Sequence, residues 1–307
     1  MPSSLSDFSL QLSWVTIGSF DGVHLGHQAL VRRLAQGARM DQSEAVVITF
    51  DPHPAVFFKR VPPSNLLTSP EEREELLCSL GIDRVITLQF DAALANLTAR
   101  EFMLELKQHL GIVHLLTGVD FALGKDRMGD LTTLARLGSE FGFGVETIPP
   151  TRFGDQVVSS SQIRQFLQSE QLDKANAWLG RPYRLTGSVV HGEARGTRLG
   201  FPTANMEIPS ERLIPSDGVY VTRATVNGVK YDAVTNIGTN PTFANTLTAP
   251  RVEPHFLDVR EDFYDQKMDL DFLQFLRPEI KFADVQSLID QINLDIQKAR
   301  EVLAHGA

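Results

Sequence analysis

The first 150 residues alternate between short apolar runs and amphipathic segments. The apolar runs are rich in β-branched residues and have the length of buried strands; they lie at 14–18, 45–50, 84–88, 112–117 and 145–148. Helical periodicity fills the intervals, and Ser69-Pro70 and Thr98-x-x-Glu101 are typical helix starts. Strands separated by helices of this length predict βαβ units and a parallel sheet.

The pattern changes near residue 180, where Gly180 and Pro182 end a short helix. From 183 to 276 the segments are short, alternating and β-rich, and Asn227-Gly228 marks a two-residue hairpin between two of them. Strands without intervening helices predict a small antiparallel barrel or sandwich. The apolar residues from 285 to 303 then follow the spacing of one amphipathic helix.

Composition narrows the class of protein. With 307 residues, two domains are the default expectation. The 29 basic and 38 acidic residues give a net charge of 29 − 38 = −9. That charge disfavours general binding to nucleic acid or to an anionic membrane, but it allows local binding of a small anion such as ATP. No apolar stretch approaches the ~18 residues of a membrane span.

Two further features indicate the compartment. Cys78 is the only cysteine, so an intramolecular disulfide and a multi-cysteine zinc site are both excluded. The first 12 residues lack a basic region followed by an apolar core, so a secretory signal is not expected. We therefore expect a soluble, cytoplasmic protein of two domains.

The segment GSFDGVHLGH (18–27) lies where the first predicted strand becomes the first helix. Its three glycines, Gly18, Gly22 and Gly26, allow a sharp turn, and a helix N-terminus offers free N–H groups to an anion. His24 and His27 add imidazoles at the same place. The segment is neither a Walker A loop nor a dinucleotide G-x-G-x-x-G motif. It predicts a triphosphate site; the alternative is a tight turn with two surface histidines.

Three later segments fall at the ends of other predicted strands, and parallel strands bring such ends to one edge of a sheet. They are TFDPHP (49–54), GVDFALGKDR (118–127) and SSSQIR (159–164). Ser160 or Ser161 can cap a helix, whatever the function. Arg164 lies in the first turn of that helix, where the dipole disfavours a cation, so an anionic partner explains it better.

These four segments together resemble the FMN adenylyltransferase (FAD synthetase) domain of bacterial bifunctional riboflavin kinase/FAD synthetases, which belong to the HxGH nucleotidyltransferase superfamily. The resemblance implies a Rossmann-like domain in which His24 and His27 contact ATP phosphates while Ser160, Ser161 and Arg164 close over them. It places His53 and Asp120 beside the catalytic crevice as flavin contacts. The remaining implied ATP contacts are Gly18, Phe20, Asp21, Gly22, Gly26, Lys125 and Arg127.

In the second half, the stretch from 187 to 205 combines a strand, a glycine-rich arch and the sequence FPTAN. Gly192, Gly196 and Gly200 can turn backbone amides inward as an anion nest. Thr203 and Asn205 can present two neutral oxygens to one face, and Mg²⁺ prefers few protein oxygens beside water and phosphate oxygens. The stretch predicts a cradle for Mg²⁺ and a nucleotide; the alternative is a glycine-rich turn capped by polar residues.

A later strand, VEPHFLD (252–258), places Glu253, His255 and Leu257 on one face. An acid beside apolar neighbours is suited to accept a proton from an alcohol. The alternative is a solvated, outward-facing acid, which is the commoner state of a single glutamate in a strand.

These motifs, with NIGTNPTF (236–243) and the segment at 277–282, resemble the riboflavin kinase domain of the same family, in the same order along the chain. The resemblance implies a six-stranded Greek-key barrel with the last helix packed outside. It implies that Thr203 and Asn205 bind Mg²⁺, that Glu253 is the base, and that Asn236 and Arg277 contact flavin. It divides the chain into residues 1–182 and 183–307.

The resulting hypothesis is an α/β enzyme with two activities. The barrel would use ATP to phosphorylate riboflavin to FMN, and the first domain would join FMN and ATP into FAD with release of pyrophosphate. We expect a monomer or weak homo-oligomer acting on these small molecules, with neither nucleic acid nor membrane as a partner. The alternatives are that only one half is active, or that the barrel stores or senses flavin.

Overall fold

The computed structural model describes residues 4–191, 200–238, 250–259 and 261–305. The chain separates into two compact units, Met1–Ser160 and Ser161–Ala307. By contacts alone, the helices just after Ser160 group with the second unit, whereas the sequence predicts the boundary at 182. Each unit is described by itself below.

The first unit is built on a five-stranded parallel sheet with the order β3-β2-β1-β4-β5. Its strands are β1 (Ser13–Ile17), β2 (Glu44–Asp51), β3 (Arg84–Gln89), β4 (Ile112–Gly118) and β5 (Gly144–Ile148). The expected parallel sheet is confirmed. The strand order reverses beside β1, and in open α/β sheets ligands bind at the carboxyl ends of the strands next to such a reversal.

Helices connect these strands as the periodicity predicts. They are α1 (Leu25–Met40), α2 (Pro54–Phe57), α3 (Pro70–Ser79), α4 (Ala92–Asn96), α5 (Ala99–Leu110) and α6 (Leu131–Phe141). The capping boxes at Ser69 and Thr98 form as expected, with each serine or threonine hydroxyl accepting the N–H of a glutamate three residues later. Two apolar clusters on this unit bury the central strands, which explains why their sequences read as continuous apolar runs. A small exposed hairpin, β6 (Arg152–Phe153) with β7 (Gln156–Val157), precedes the end of the unit.

In the second unit, two helices precede a closed antiparallel barrel. The helices are α7 (Ser160–Gln168), which crosses the division between the units, and α8 (Leu172–Leu179). The barrel order is β10-β11-β12-β9-β8-β13, closed by pairing of β13 with β10. Its strands are β8 (Tyr183–Val190), β9 (Asn205–Glu207), β10 (Gly218–Val226), β11 (Val229–Gly238), β12 (Arg251–Phe256) and β13 (Lys267–Arg277). The expected six-stranded barrel is confirmed; β9 is the strand that periodicity alone does not show, because it has only three residues.

The final helix, α9 (Val285–Ala304), packs on the outside of the barrel. Val219, Val221 and Val234 from the barrel and Ala299 from the helix form the buried contact, together with Leu257. Leu257 lies two residues after His255 and four residues after Glu253, a spacing that in an extended chain places all three on one face. The face that the sequence assigns to the candidate base therefore turns toward α9 and away from the barrel interior.

Candidate functional sites

The turn after β1 has an unusual backbone. Phe20, Gly22 and Val23 have φ values of +49°, +81° and +40°. Glycine adopts this region freely, but it is an outlier for a β-branched residue such as valine. Strain of this kind persists only where the surroundings enforce it, and it is concentrated at functional turns.

Asp21 helps to hold the backbone of this turn in its strained conformation. Its carboxylate is 1% exposed and accepts the backbone N–H groups of Leu67 and Thr68 at 2.9 and 3.1 Å. The N–H of Gly22 donates to the Thr68 hydroxyl, and the Ser160 hydroxyl donates to the Asp21 carbonyl at 2.9 Å. The Asp21 carboxylate is thus occupied in holding the turn, while its expected contact with ATP stays a prediction.

The two histidines lie at the N-terminus of α1 and are stacked. Their ring centroids are 3.7 Å apart with an interplanar angle of 15°. His24 is the N-cap: its Nδ1 accepts the backbone N–H of His27 at 3.3 Å. His24 is 6% exposed. The pair is therefore built into the turn, which argues against the alternative of two surface histidines.

His27 is held neutral. Phe20 covers its other side, with centroids 5.1 Å apart, and its buried Nδ1 has no hydrogen-bond partner among the described residues. Burial, then the neighbouring His24 and Arg73, lower the pKa of His27 well below its ordinary value of 6.5. A neutral imidazole can donate a hydrogen bond from one nitrogen, but it brings no charge to a phosphate.

Arg73 is a residue that the sequence analysis misses. It is 3% exposed on α3, and its guanidinium donates to the carbonyls of Ser19 and Phe50 at 3.0 and 3.4 Å. Burial lowers the pKa of Arg73 below its ordinary value, and the carboxylates of Asp21 and Asp51 partly oppose this. Its spacing in the sequence could have identified it, because Arg73 lies four residues before Leu77 and shares the buried face of α3 with it.

A cavity of about 660 Å³ opens beside the turn. Four residues singled out from the sequence line it: Gly18, His53, Asp120 and Arg127. The ring of His53 caps α2, where its Nδ1 accepts the Ala55 N–H at 3.0 Å. The guanidinium of Arg127 donates to the Asp120 carbonyl at 3.1 Å. The rest of the wall is largely apolar and aromatic, and it includes Phe50, Phe58, Phe90 and Phe121. The ends of β1, β2 and β4 therefore meet at this cavity, while residues 159–164 are not part of its wall.

The remaining predicted residues of this half are more dispersed. Lys125 is exposed, and it joins the loop through its backbone N–H to Leu97. The helix α7 begins at Ser160, so its cap position is Ser159, one residue before the predicted choice. Ser161 is exposed, and Arg164 is 8% exposed one turn further along α7.

In the barrel unit, a second cavity of about 270 Å³ lies between the outer face of the barrel and α9. Residues predicted for three different roles line it: the metal ligand Thr203, the base Glu253, and the flavin contacts Asn236 and Arg277. Asn236 and Glu253 are directly opposed partners on β11 and β12. The apolar wall includes Phe201, Ile280, Phe282, Leu288 and Ile292. Glu253 therefore lies beside an apolar wall, which differs from the alternative interpretation of a solvated, outward-facing glutamate.

Neighbouring groups order this cavity. The His255 Nδ1 is 2.8 Å from the Pro202 carbonyl, which ties β12 to the FPTAN segment. The N–H of Ala204 donates to the Pro254 carbonyl at 2.9 Å. The side-chain amide of Asn236 donates to Glu279 at 3.2 Å. The segment carrying the predicted metal ligands is thus attached to the strand that carries the predicted base.

The donor chemistry fits Mg²⁺. Thr203 lines the cavity beside Glu253, and Asn205 opens β9 two residues later. Few neutral oxygens near a carboxylate suit a cation that keeps water and phosphate ligands. No cluster of three or more His, Cys, Asp or Glu side chains suited to a metal occurs in the described ranges. Within those ranges, such side chains therefore do not form a metal site without water or phosphate ligands.

Parts of the predicted nucleotide cradle lie outside the described residues. These are Gly192 and Gly196 of the arch and residues 239–243 of NIGTNPTF. Gly200 is described, with φ +90°, a conformation that glycine adopts readily.

Taken together, a parallel sheet with a histidine-bearing turn and a barrel with a carboxylate-bearing cavity define a class of two-domain nucleotide- and flavin-handling enzymes. Family models agree with this division: an FAD synthetase model matches residues 8–162, and a riboflavin kinase model matches residues 179–303. Bifunctional riboflavin kinase/FMN adenylyltransferases are similar over nearly the whole chain. The protein from Pseudomonas fluorescens is 38% identical, covering 95% of this chain and 93% of its own. That from Escherichia coli K12 is 37% identical, with 94% and 91% covered.

The Listeria monocytogenes protein of the same name is 34% identical, with 94% and 92% covered. The crystal structure of a macrolide-efflux protein from Streptococcus pneumoniae superposes with a TM-score of 0.90 at 32% identity, covering 98% of each chain. None of the helices in the described parts of the present chain has the length and apolarity to cross a membrane. This chain belongs to the family of bifunctional riboflavin kinase/FMN adenylyltransferases.

Proposed function

We propose that this chain makes both flavin cofactors in sequence. The barrel unit converts riboflavin and ATP into FMN and ADP, and the first unit converts FMN and ATP into FAD and pyrophosphate. One observation carries the kinase assignment: Glu253, Asn236 and Thr203 converge on an apolar cavity from separate strands and turns. The whole-length similarity to bifunctional relatives supports the pairing of the two reactions.

In the kinase reaction, the cavity binds riboflavin against its apolar wall beneath α9. Glu253 accepts the proton of the terminal ribityl hydroxyl as that oxygen bonds to the γ-phosphorus, and the bond from that phosphorus to the bridging oxygen of ADP breaks. Thr203 and Asn205 would hold Mg²⁺, which when bound reduces the negative charge of the ATP phosphates. Gly192, Gly196 and Gly200 supply amides to those phosphates, and Asn236 and Arg277 line the flavin side.

In the adenylyl transfer, the nucleophile is already an anion, so the site needs alignment and charge stabilisation but no base. An FMN phosphate oxygen bonds to the α-phosphorus of ATP, and pyrophosphate leaves. The α1 N-terminus and the His24–His27 pair hold the phosphates, with His27 acting as a neutral donor. The positive charge comes from Lys125, Arg127 and Arg164, and the cavity at His53 and Asp120 takes the flavin ring.

The finer assignments belong to the same proposal. The domains divide at 182/183, the chain acts in the cytoplasm as a monomer or weak homo-oligomer, and its partners are small molecules, without nucleic acid. The net charge of −9 and the lone cysteine support these assignments.

The test is a product assay on the purified full chain with riboflavin, ATP and Mg²⁺. Chromatography is expected to show FMN first and FAD afterwards, with pyrophosphate released in step with FAD. FMN that accumulates without FAD would remove the assignment of the first unit. Flavin that binds without any consumption of ATP would favour a storage or sensing barrel.

A further inference from the structure

An ion pair with a buried acid and a partly buried cation borders the barrel cavity. Asp295 on α9 is 2% exposed, and within the described ranges Asp21 is the only other buried carboxylate. Arg277, at the end of β13, meets it with its Nη2 2.7 Å and its Nε 3.0 Å from Oδ2. The second carboxylate oxygen accepts from Arg277 Nε at 3.1 Å and from Gln291 Nε2 at 2.9 Å. The pair is therefore fully hydrogen-bonded and fixed in orientation.

The pair connects α9 to the polar wall of the cavity. Asp295 and Arg277 both line that cavity, and Arg277 also donates to the Pro278 carbonyl at 2.9 Å. Two residues along the chain, Glu279 accepts from Asn236, which is the cross-strand partner of Glu253. Holding Arg277 thus fixes the segment 277–279, and that segment holds the strand position opposite the base.

Stability alone does not account for this arrangement. Removing two charges from water costs about as much as their attraction returns, so a well-packed apolar pair of similar size is often as stable or more so. The barrel-facing side of α9 already has an apolar contact with the barrel through Val219, Val221 and Ala299. A bidentate pair does what an apolar pair cannot: it sets the direction of a planar guanidinium.

We infer that Asp295 is a positioning residue of the flavin cavity, acting through Arg277 to hold α9 and the 277–279 segment in the geometry that binds riboflavin. This inference rests on the proposed assignment of the cavity to riboflavin. It predicts an effect on riboflavin binding that exceeds the effect on the chemical step, because the hydrogen bonds of Asp295 are to Arg277 and Gln291, on the wall of the cavity.

The test compares Asp295→Asn with Asp290→Asn in the full chain. Asp290 is exposed on the same helix and is hydrogen-bonded to Gln286, so it controls for loss of one acid from α9. We expect Asp295→Asn to raise the KM for riboflavin about tenfold or more while kcat changes less than about threefold. FAD formation from supplied FMN should be unchanged in both variants. Equal KM values for the two variants would overturn the inference.

A double variant separates positioning from folding. Arg277→Met with Asp295→Leu replaces the pair by apolar side chains and is expected to unfold thermally at or above the midpoint of Asp295→Asn. If Asp295 positions the site, riboflavin affinity stays about tenfold or more weakened although stability returns. Recovery of the wild-type KM in the double variant would show a merely structural pair and overturn the inference.

Direct binding keeps this test independent of the proposed reaction. Quenching of riboflavin fluorescence by the wild-type chain and by the two single variants needs no turnover. If the wild-type chain forms no FMN, the proposed function fails. The inference still stands or falls on whether Asp295→Asn binds riboflavin about tenfold more weakly than Asp290→Asn.

Discussion

The two candidate sites use opposite arrangements of charge. At the turn after β1, the buried acid Asp21 accepts backbone amides, and the groups at the α1 N-terminus are two stacked imidazoles, of which His27 has a lowered pKa. In the barrel cavity, the acid Glu253 lines the cavity itself, and a second acid, Asp295, orients a cation on the wall. Asp21 thus supports the backbone of the turn in the first unit, whereas Glu253 lines the cavity of the second.

This difference follows from the nucleophiles of the two proposed reactions. A ribityl hydroxyl must lose a proton as it attacks, so a carboxylate near the cavity is chemically useful. A phosphate is already ionised, and a carboxylate beside it would repel it. On this proposal, one chain contains two ATP sites whose residues differ because the second substrate differs.

The largest expected effect is the loss of FMN formation in the barrel unit, with FAD formation in the first unit retained. Glu253→Gln keeps the size of the side chain and removes the base, so we expect FMN formation to fall about 10²–10⁴-fold. FAD formation from supplied FMN should stay within about twofold of the wild-type rate, since the first unit contains its own site. Separate initial-rate assays measure both; a parallel loss of the two activities would contradict two independent sites.

The reciprocal change is His27→Ala, which removes the ring stacked on His24 at the α1 N-terminus. We expect FAD formation to fall about 10²-fold, comparable with the loss of one preorganised donor in other enzymes. FMN formation should be unaffected.

Arg73→Met is a useful companion because it removes the buried cation while leaving the His27 ring. Unchanged FAD formation in that variant would show that Arg73 supports only folding.

A third prediction concerns stability in the first unit. Gly37 on α1 packs against Trp14, and a Cβ at this position would lie 2.6 Å from Cε3 of that ring. Arg33 and His114 flank the Trp14 ring, which limits its retreat. Overpacking of about 3 kcal/mol, less about 1 kcal/mol of gained helix propensity, predicts that Gly37→Ala lowers the free energy of unfolding by about 2 kcal/mol.

Gly118→Ala is the matched control, because a Cβ there meets no atom within 4 Å. Denaturant titration of the full chain, with the FMN-forming rate measured alongside, should show destabilisation for Gly37→Ala and unaltered kinase activity below its transition. Equal stability of the two variants would mean that the Trp14 ring moves aside without cost.

The smallest effect is a pH dependence confined to the first unit. Since the folded pKa of His27 lies below the ordinary 6.5, the unfolded chain binds the proton more readily, and stability is lost as pH falls below about 6.5. The expected contribution is at most about 1.4 kcal/mol per pH unit in that window. Urea titrations at pH 7.5 and 5.5 should show a smaller difference for His27→Gln than for the wild-type chain; identical differences would place the sensitivity elsewhere.

Much of the fold could be predicted because local rules coincide with the tertiary structure. The central strands β1 and β2 of the parallel sheet are buried on both faces, so their sequences are continuous apolar runs. The start of α3 is encoded by Ser69 and Glu72, which satisfy each other's backbone groups within one turn. The short strand β9 could not be predicted in this way, since three residues carry too little periodicity and the strand depends on its neighbours.

Some residues of the candidate sites could likewise be predicted from local sequence, and others could not. Histidines at a glycine-rich strand–helix turn, and an acid alternating with apolar residues, are visible in the sequence because spacing places them on one edge or one face. The roles of Asp21, Arg73 and Asp295 are not, because each depends on a partner distant in sequence: the amides of residues 67 and 68, the carbonyls of residues 19 and 50, and the guanidinium of Arg277.

By itself, the sequence determined the order of elements, the change from a parallel sheet to a barrel, and the residue types available for each reaction. Those properties follow from period and propensity, which act within a few residues. Only the tertiary structure decided which acid lines a cavity, which histidine has a lowered pKa, and which cation is held in place. Burial and hydrogen bonding set these properties, and both depend on the groups that folding brings together from distant parts of the chain.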